Sequence, residues 1–249
     1  MTTYVRKLKS WTVFFLAIAV LELAAQNPDP ANRADKDSMP EGPFRFEPGE
    51  IHPTYMDAFH ARPVVKSPDG KLGVTVTGPI KSWGAWVTIS PSSFPGGAVH
   101  IWPIQSNVSV LWRPDSRGFA LTDNRYANLS YVLVCGTEFR LGEDESGLGV
   151  PITDLTPIVR EAFEDRTTKY YKTDEFETLL FYAQALRWTG NGELLIGISA
   201  RTLGPLTFPN KGQMEWDVAY LVNVPSTKVM YEVGKEQLLS EYKIKVHMD

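Results

Sequence analysis

Short apolar runs broken by turn residues dominate the chain after residue 43. Val64-Val65 gives way to Ser67-Pro68-Asp69-Gly70, which is followed by the alternating run Leu72-Gly73-Val74-Thr75-Val76. The same order recurs in Val110-Leu111-Trp112, Arg113-Pro114-Asp115-Ser116 and Phe119-Ala120-Leu121-Thr122. A more diverged third copy reads Ala185-Leu186-Arg187-Trp188, Thr189-Gly190-Asn191-Gly192 and Leu194-Leu195-Ile196-Gly197. Proline presets φ for the second turn position, aspartate bonds the backbone two residues on, and glycine accepts positive φ. Each unit therefore predicts two strands joined as a hairpin. Trp112 and Trp188 fall at the end of a first strand, which would lay their rings over the core.

More strand-like sequence follows each hairpin. After the first come Ala85 to Ile89 and Ala98 to Trp102. After the second come Leu129 to Cys135 and, past Gly136-Thr137, Glu138 to Leu141. After the third come Val218 to Val224 and Val229 to Val233. The expectation is three units of four antiparallel strands. One helix interrupts them, since Leu155, Ile158, Val159, Ala162 and Phe163 recur at helical spacing, with Thr156 as N-cap and Pro157 in the first turn. Covering apolar surface is the job expected of that helix, and a shorter one is expected around Lys235 to Tyr242.

These turns, Ser67-Pro68-Asp69-Gly70 and Trp112-Arg113-Pro114-Asp115-Ser116, each followed by an apolar strand, resemble the repeats of TolB-type and WD40-like periplasmic β-propellers. The resemblance spans roughly residues 60 to 235, and Pro68 and Pro114 lie 46 residues apart, a spacing within the usual blade period. It implies an all-β, mainly antiparallel fold of propeller-like four-stranded blades with one helical insertion. Propellers close with four or more blades and only three units are found, so an open or incomplete array is expected. Residues 44 to 61 are the candidate for a fourth unit, although they carry no such turn.

The first 25 residues have a different pattern. Arg6, Lys7 and Lys9 precede an uncharged apolar stretch from Trp11 to Leu21, and Leu23-Ala24-Ala25 ends it. That is the layout of a secretory signal peptide, with cleavage expected after Ala25 and a periplasmic or secreted product. The apolar stretch is about half the ~20 residues of a membrane-spanning helix, and Glu22 interrupts it. Residues 26–43, rich in Pro, Asp and Asn, read as a flexible linker to a single domain over 44–249.

Composition narrows the function. The formal charge is −4, and losing three of 25 basic and one of 29 acidic residues with the leader leaves 22 and 28. An acidic chain with no basic run has no long-range attraction for nucleic acid or anionic lipid. The single cysteine, Cys135, lies in the apolar run Tyr131 to Cys135 and reads as a buried small hydrophobe.

Familiar catalytic signatures do not occur. Gly197-Ile198-Ser199-Ala200-Arg201 comes nearest to a nucleophile elbow but ends in Arg and falls in an expected strand. His52, His60 and Asp57 match no rigid metal motif, and the acidic run Glu143-Asp144-Glu145 lacks the alternation of a calcium loop. No catalytic residue, metal or cofactor is assigned. Asp123, Asn124 and Arg125 are expected at a loop tip after a strand and, with Tyr126 and Trp83, are the candidate binding residues. The reading that follows is an exported, non-catalytic binding module that contacts a protein or cell-envelope component through blade loops or an exposed edge, with homo-oligomerisation open to it. A hydrolase acting on envelope polymers or peptides at the blade tops, and a carbohydrate binder using exposed tryptophans, are the alternatives.

Overall fold

The structure, a computed structural model, describes residues 44–47, 54–57, 63–78, 84–93, 95–105, 107–126, 129–137, 140–141, 148–167, 179–190, 192–202 and 215–248. All of them fall within one compact unit, Ala34–Asp249. The expected signal peptide, the linker, Trp83, His52, His60 and the acidic run lie outside the described residues.

The protein is mostly β, with antiparallel sheets. Strands β1 (Phe44–Glu47) and β2 (Thr54–Asp57) precede a four-stranded meander of β3 (Val65–Lys66), β4 (Leu72–Thr77), β5 (Ala85–Pro91) and β6 (Val99–Ile104). A second run holds β7 (Asn107–Trp112), β8 (Gly118–Tyr126) and β9 (Leu129–Gly136), then a small ribbon of β10 (Arg140–Leu141) and β11 (Leu148–Gly149), then β12 (Ile152–Asp154). After helix α1 (Thr156–Thr167), a third meander is built from β13 (Leu179–Trp188), β14 (Glu193–Thr202), β15 (Glu215–Asn223) and β16 (Lys228–Val233). Helix α2 (Lys235–Ser240) and β17 (Lys245–Met248) end the described chain. The second and third runs share one nine-stranded sheet, because Phe181 of β13 pairs in parallel with Leu129 of β9. Farther along the same edge, β9 pairs with β12, from Ile152 opposite Cys135 to Asp154 opposite Leu133.

Two expectations are corrected here. The fourth strand of the second run is β12, not residues 138–141. Arg140 and Leu141 pair instead with Gly149 and Leu148. The returning chain is fixed by the Gly136 amide, which donates to the Pro151 carbonyl at 2.9 Å, and by the Leu155 amide, which donates to the Val132 carbonyl at 2.9 Å. The described residues of the 44–61 segment form no separate fourth unit either. Thr54–Asp57 extends the second run alongside β7, and Phe44–Glu47 pairs with β17. No ring closure forms among the described residues, and the two α-helices found among them, Thr156–Thr167 and Lys235–Ser240, fall where the insertion and the shorter C-terminal helix are expected.

The three turns share a hydrogen-bonding pattern. Gly70 donates to the Ser67 carbonyl, Ser116 to Arg113 and Gly192 to Thr189, at 2.8, 3.0 and 3.4 Å. In each turn the donor has positive φ, at 71°, 61° and 76°. Asp69 and Asp115 accept from the amides of Lys71 and Arg117 at 3.1 and 3.0 Å, the local bond that makes aspartate a turn residue. Successive turns also touch. The Asp69 amide donates to Ser116 Oγ at 3.1 Å, while the Arg113 guanidinium lies 5.6 Å from the centre of the Trp188 ring.

Strand alternation sorts the side chains into three apolar layers. Val74, Val76, Val87 and Ile89 of the first meander face Val110, Trp112, Phe119, Leu121 and Leu133 of the second run. On the opposite face of the second run, Leu111, Ala120 and Val132 face Phe181, Ala183, Ile196 and Ile198 of the third meander. Helix α1 joins this layer through Leu155, Val159 and Phe163, as the helical spacing predicts, and so covers apolar surface. Thr156 starts it, but its hydroxyl accepts from the Val132 amide at 2.9 Å and ties the helix to β9; the Thr156 amide is taken by Asp154 at 2.8 Å. The third layer lies on the outer face of the third meander, where Leu186, Leu195, Leu221 and Val233 are covered by Leu238, Tyr242 and Ile244.

Tryptophan and hydroxyl side chains pin these layers. Trp112 Nε1 donates to the Val65 carbonyl at 3.1 Å, and Trp188 Nε1 donates to the Leu111 carbonyl at 3.0 Å. Counted from the turns, Val65 and Leu111 occupy the same position, so one contact occurs twice. Ser130 Oγ donates to the Ala183 carbonyl at 2.7 Å and accepts from its amide at 2.6 Å, and Thr122 Oγ1 accepts from Ala185 at 3.0 Å. These hydroxyls satisfy backbone groups of β13 along the stretch where it leaves β9.

Candidate functional site

The outer face of the third meander changes character along its length. Near the turn it is apolar, with Leu186 on β13, Leu195 on β14 and Leu221 on β15 buried beneath α2 and the residues after it. Beyond that cover the same three strands present different residues. β13 carries Gln184 and Tyr182, β14 carries Gly197, Ser199 and Arg201, and β15 carries Asp217. Register places Gln184 opposite Gly197, Tyr182 opposite Ser199, and Ser199 opposite Asp217. Cross-strand partners share a face, so these groups converge.

Tyr182, Gln184, Gly197, Ser199 and Arg201 line a half-open depression of about 330 Å³ whose other walls are Asn124 of β8, Ser130 of β9 and Ala183 of β13. Its position follows from the topology. At the single parallel contact between β9 and β13 the sheet parts, and the depression lies beside that seam. Gly197 is buried and carries no side chain, which leaves room at its base. Tyr182, Gln184, Asn124 and Ser199 are half-buried, and Arg201 is exposed. The Ser199 hydroxyl donates to Asp217 Oδ1, and that carboxylate is buried with 6% exposure.

Chemically, this set can donate and accept hydrogen bonds from amides, hydroxyls and a guanidinium. Ser199 has a carboxylate partner, but the arrangement includes no imidazole to act as general base. Among the described residues no group of three His, Cys, Asp or Glu side chains could hold a metal ion. His100 lies on the outer face of the first meander, exposed, its ring 5.5 Å from that of Trp86 and its Nδ1 3.3 Å from Thr88 Oγ1. Cys135 is fully buried, and burial pushes its thiol up to about 12. That is the opposite of an activated nucleophile.

The residues singled out by sequence are only partly brought together. Asp123 to Tyr126 belong to β8 and not to a loop tip, with Asp123 opposite Tyr131 and Tyr126 opposite Leu129. Asp123 is fully buried and faces the first meander, where its Oδ2 accepts from Trp102 Nε1 at 2.7 Å. Asn124, one residue on, points to the other side and lines the depression. Arg125 and Tyr126 are described as strand residues only, and Trp83 lies outside the described residues. Tyr182 and Gln184 carry no motif in the sequence, and Ser199 and Arg201 stand out there only in a segment that fails as a nucleophile elbow. The available signal was the switch from Leu to polar residues on one parity within β13 and β14.

Fold and site together define a class: an antiparallel β protein with a polar depression on the uncovered part of its last sheet. No family model, curated protein or solved structure matches the chain.

Proposed function

We propose that the protein is an exported, non-catalytic binding module that holds a polar ligand in the depression between β8, β9, β13 and β14. One observation carries this reading: three adjacent strands turn from leucine to hydrogen-bonding residues at the boundary of the C-terminal cover. A face that only needed solubility would be met by lysine and glutamate. Instead it holds amides, hydroxyls and a tyrosine around a buried glycine, which suits recognition.

The three strand runs are, in this proposal, blades of the kind found in TolB-type and WD40-like propellers, arranged as an open array. Support comes from the common turn geometry, the repeated tryptophan contact and the face-to-face order of the layers. The proposal includes export through the N-terminal leader, and N-terminal sequencing of the product expressed from the full chain should begin at Gln26. No helix among the described residues is long and apolar enough to cross a membrane.

The test is a thermal-shift screen of the purified protein against small polar compounds, repeated with Arg201→Ala. Compounds that raise the melting temperature of the wild type and not of the variant support the reading. Turnover of an esterase, glycosidase or peptidase substrate that Ser199→Ala abolishes would replace it with the hydrolase alternative.

A further inference from the structure

We infer that two copies of this chain pair through the outer face of the first meander. Strand alternation gives that meander two faces. Val74, Val76, Val87 and Ile89 point toward the second run. Thr75 and Thr77 on β4, Trp86 and Thr88 on β5, and His100 and Pro103 on β6 therefore point away from it. None of the three apolar layers lies on this outer face. Trp86 is 36% exposed there, and His100 and Pro103 are exposed beside it.

Its composition is not that of a surface kept for solubility. The terminal unit of a stack needs a polar outer side, and lysine and glutamate ordinarily supply it. Among the described residues this face carries a single Asp, Glu, Lys or Arg side chain, Lys66, on the edge strand β3 opposite Gly73. The chain as a whole is 22% charged. In place of charge the face holds the Trp86 indole, 5.5 Å from the His100 ring, and Val64, which is 58% exposed and lies over Gly73. Depletion of charge around an exposed tryptophan is the composition of an interface core.

The hydroxyls at its centre are already paired. Thr77 Oγ1 and Thr88 Oγ1 are 2.6 Å apart, and Thr88 Oγ1 lies 3.3 Å from His100 Nδ1. A partner can cover them without stranding a donor or acceptor, whereas a small polar ligand would find little left to bond. This suits a second sheet face of the same kind.

Charge selects a second copy. The chain is acidic, with a formal charge of −4, so two copies repel through most of their surfaces. Here they meet with no carboxylate among the described residues of the contact. A two-fold pair needs a patch that complements itself, and an uncharged face with internally paired hydroxyls does so. The sheets of one copy already stack face to face, and the same stacking serves between copies. Four strands, three of them six or seven residues long, present about 300–400 Å² of sheet per copy. That falls short of the ~800 Å² per partner of a stable complex, so the dimer is a reversible one that fills at high concentration. Pairing here leaves the depression on the third meander open in both copies, and it is independent of what that depression holds.

Sedimentation of the purified protein from low micromolar to near-millimolar concentration tests the pairing. The wild type should pass from monomer toward dimer across that range. Trp86→Glu should weaken association about tenfold or more, since it removes the central ring and sets like charges against each other. His100→Glu, at another exposed position of the face, should do the same and serves if the first variant fails to melt cooperatively. Met230→Glu, on the edge strand β16 and 47% exposed, should leave association unchanged. A wild type that stays monomeric throughout overturns the inference, as does a dimer that neither face variant weakens. Loss of the dimer in Met230→Glu alone would move the contact to the β16 edge and overturn it equally.

Discussion

The two tryptophans at strand ends and the one cysteine show what single residues do here. Trp188 is buried with its Nε1 on the Leu111 carbonyl, so Trp188→Phe keeps most of the apolar area and strands a buried acceptor. Urea unfolding should show a loss of about 1–3 kcal/mol, and Trp112→Phe a loss of the same order, since its Nε1 makes the equivalent bond to Val65. Cys135 gives a pH dependence. Burial raises its folded pKa from 9.0 to about 12, so the unfolded chain releases the proton first and binds fewer protons above pH 9. Stability contributed by the neutral thiol is complete below about pH 9 and is lost progressively as pH climbs toward 12. Burial raises the phenols of Tyr220 and Tyr242 as well, adding to the same alkaline loss. Unfolding midpoints measured from pH 8 to 11 should fall steadily, with a shallower slope for Cys135→Ala. In the native protein at pH 8, a thiol reagent should modify Cys135 no faster than the chain unfolds.

Elements are held to one another by a few polar contacts, each replacing pairing that the topology does not provide. Ser130 satisfies both the amide and the carbonyl of Ala183 where β13 has only one ladder position on β9. Ser130→Ala leaves both groups buried and unpaired, and should destabilise by on the order of 3 kcal/mol while speeding hydrogen exchange at Ala183. The helix α1 is tied to the edge strand β16 by Arg166 Nε and Glu232 Oε2 at 3.0 Å, with side chains 8% and 16% exposed. Breaking such a pair costs about 3–5 kcal/mol because the remaining charge stays buried, whereas replacing both partners with apolar residues is near neutral. Glu232→Gln should therefore unfold at lower urea than the double variant Arg166→Met/Glu232→Leu. Equal destabilisation of the two would assign the contact a packing role alone.

For the molecule as a whole, the residues after Val233 decide both stability and site. They cover Leu186, Leu195 and Leu221, and fully burying a leucine is worth about 1.5–3 kcal/mol. Ending the chain at Val233 should expose this layer, increase binding of a hydrophobic dye and promote association, with β1 also losing its partner β17. A truncated chain that stayed monomeric and dye-free would show that the cover is dispensable. Much of this architecture was legible in advance. Alternation and Pro-Asp turns marked the strand pairs flanking each turn, Leu155 to Phe163 marked the helix, and the run around Cys135 marked a buried strand. Those features are local, because backbone preference and side-chain period act over a few residues. The fourth strand of the second run was misplaced because Arg140-Leu141 and Ile152-Thr153-Asp154 are both short β-like stretches, and only the closure of the Gly136–Pro151 contact selects between them. Asp123 and Asn124 looked alike as exposed polar neighbours, yet pleating sends one into the core beneath Trp102 and the other into the depression. The sequence by itself determined where the turns and strands fall. Tertiary structure alone decided which strand edges meet and how far the C-terminal cover reaches, and hence where polar residues remain open to a ligand, because those depend on contacts between residues distant along the chain.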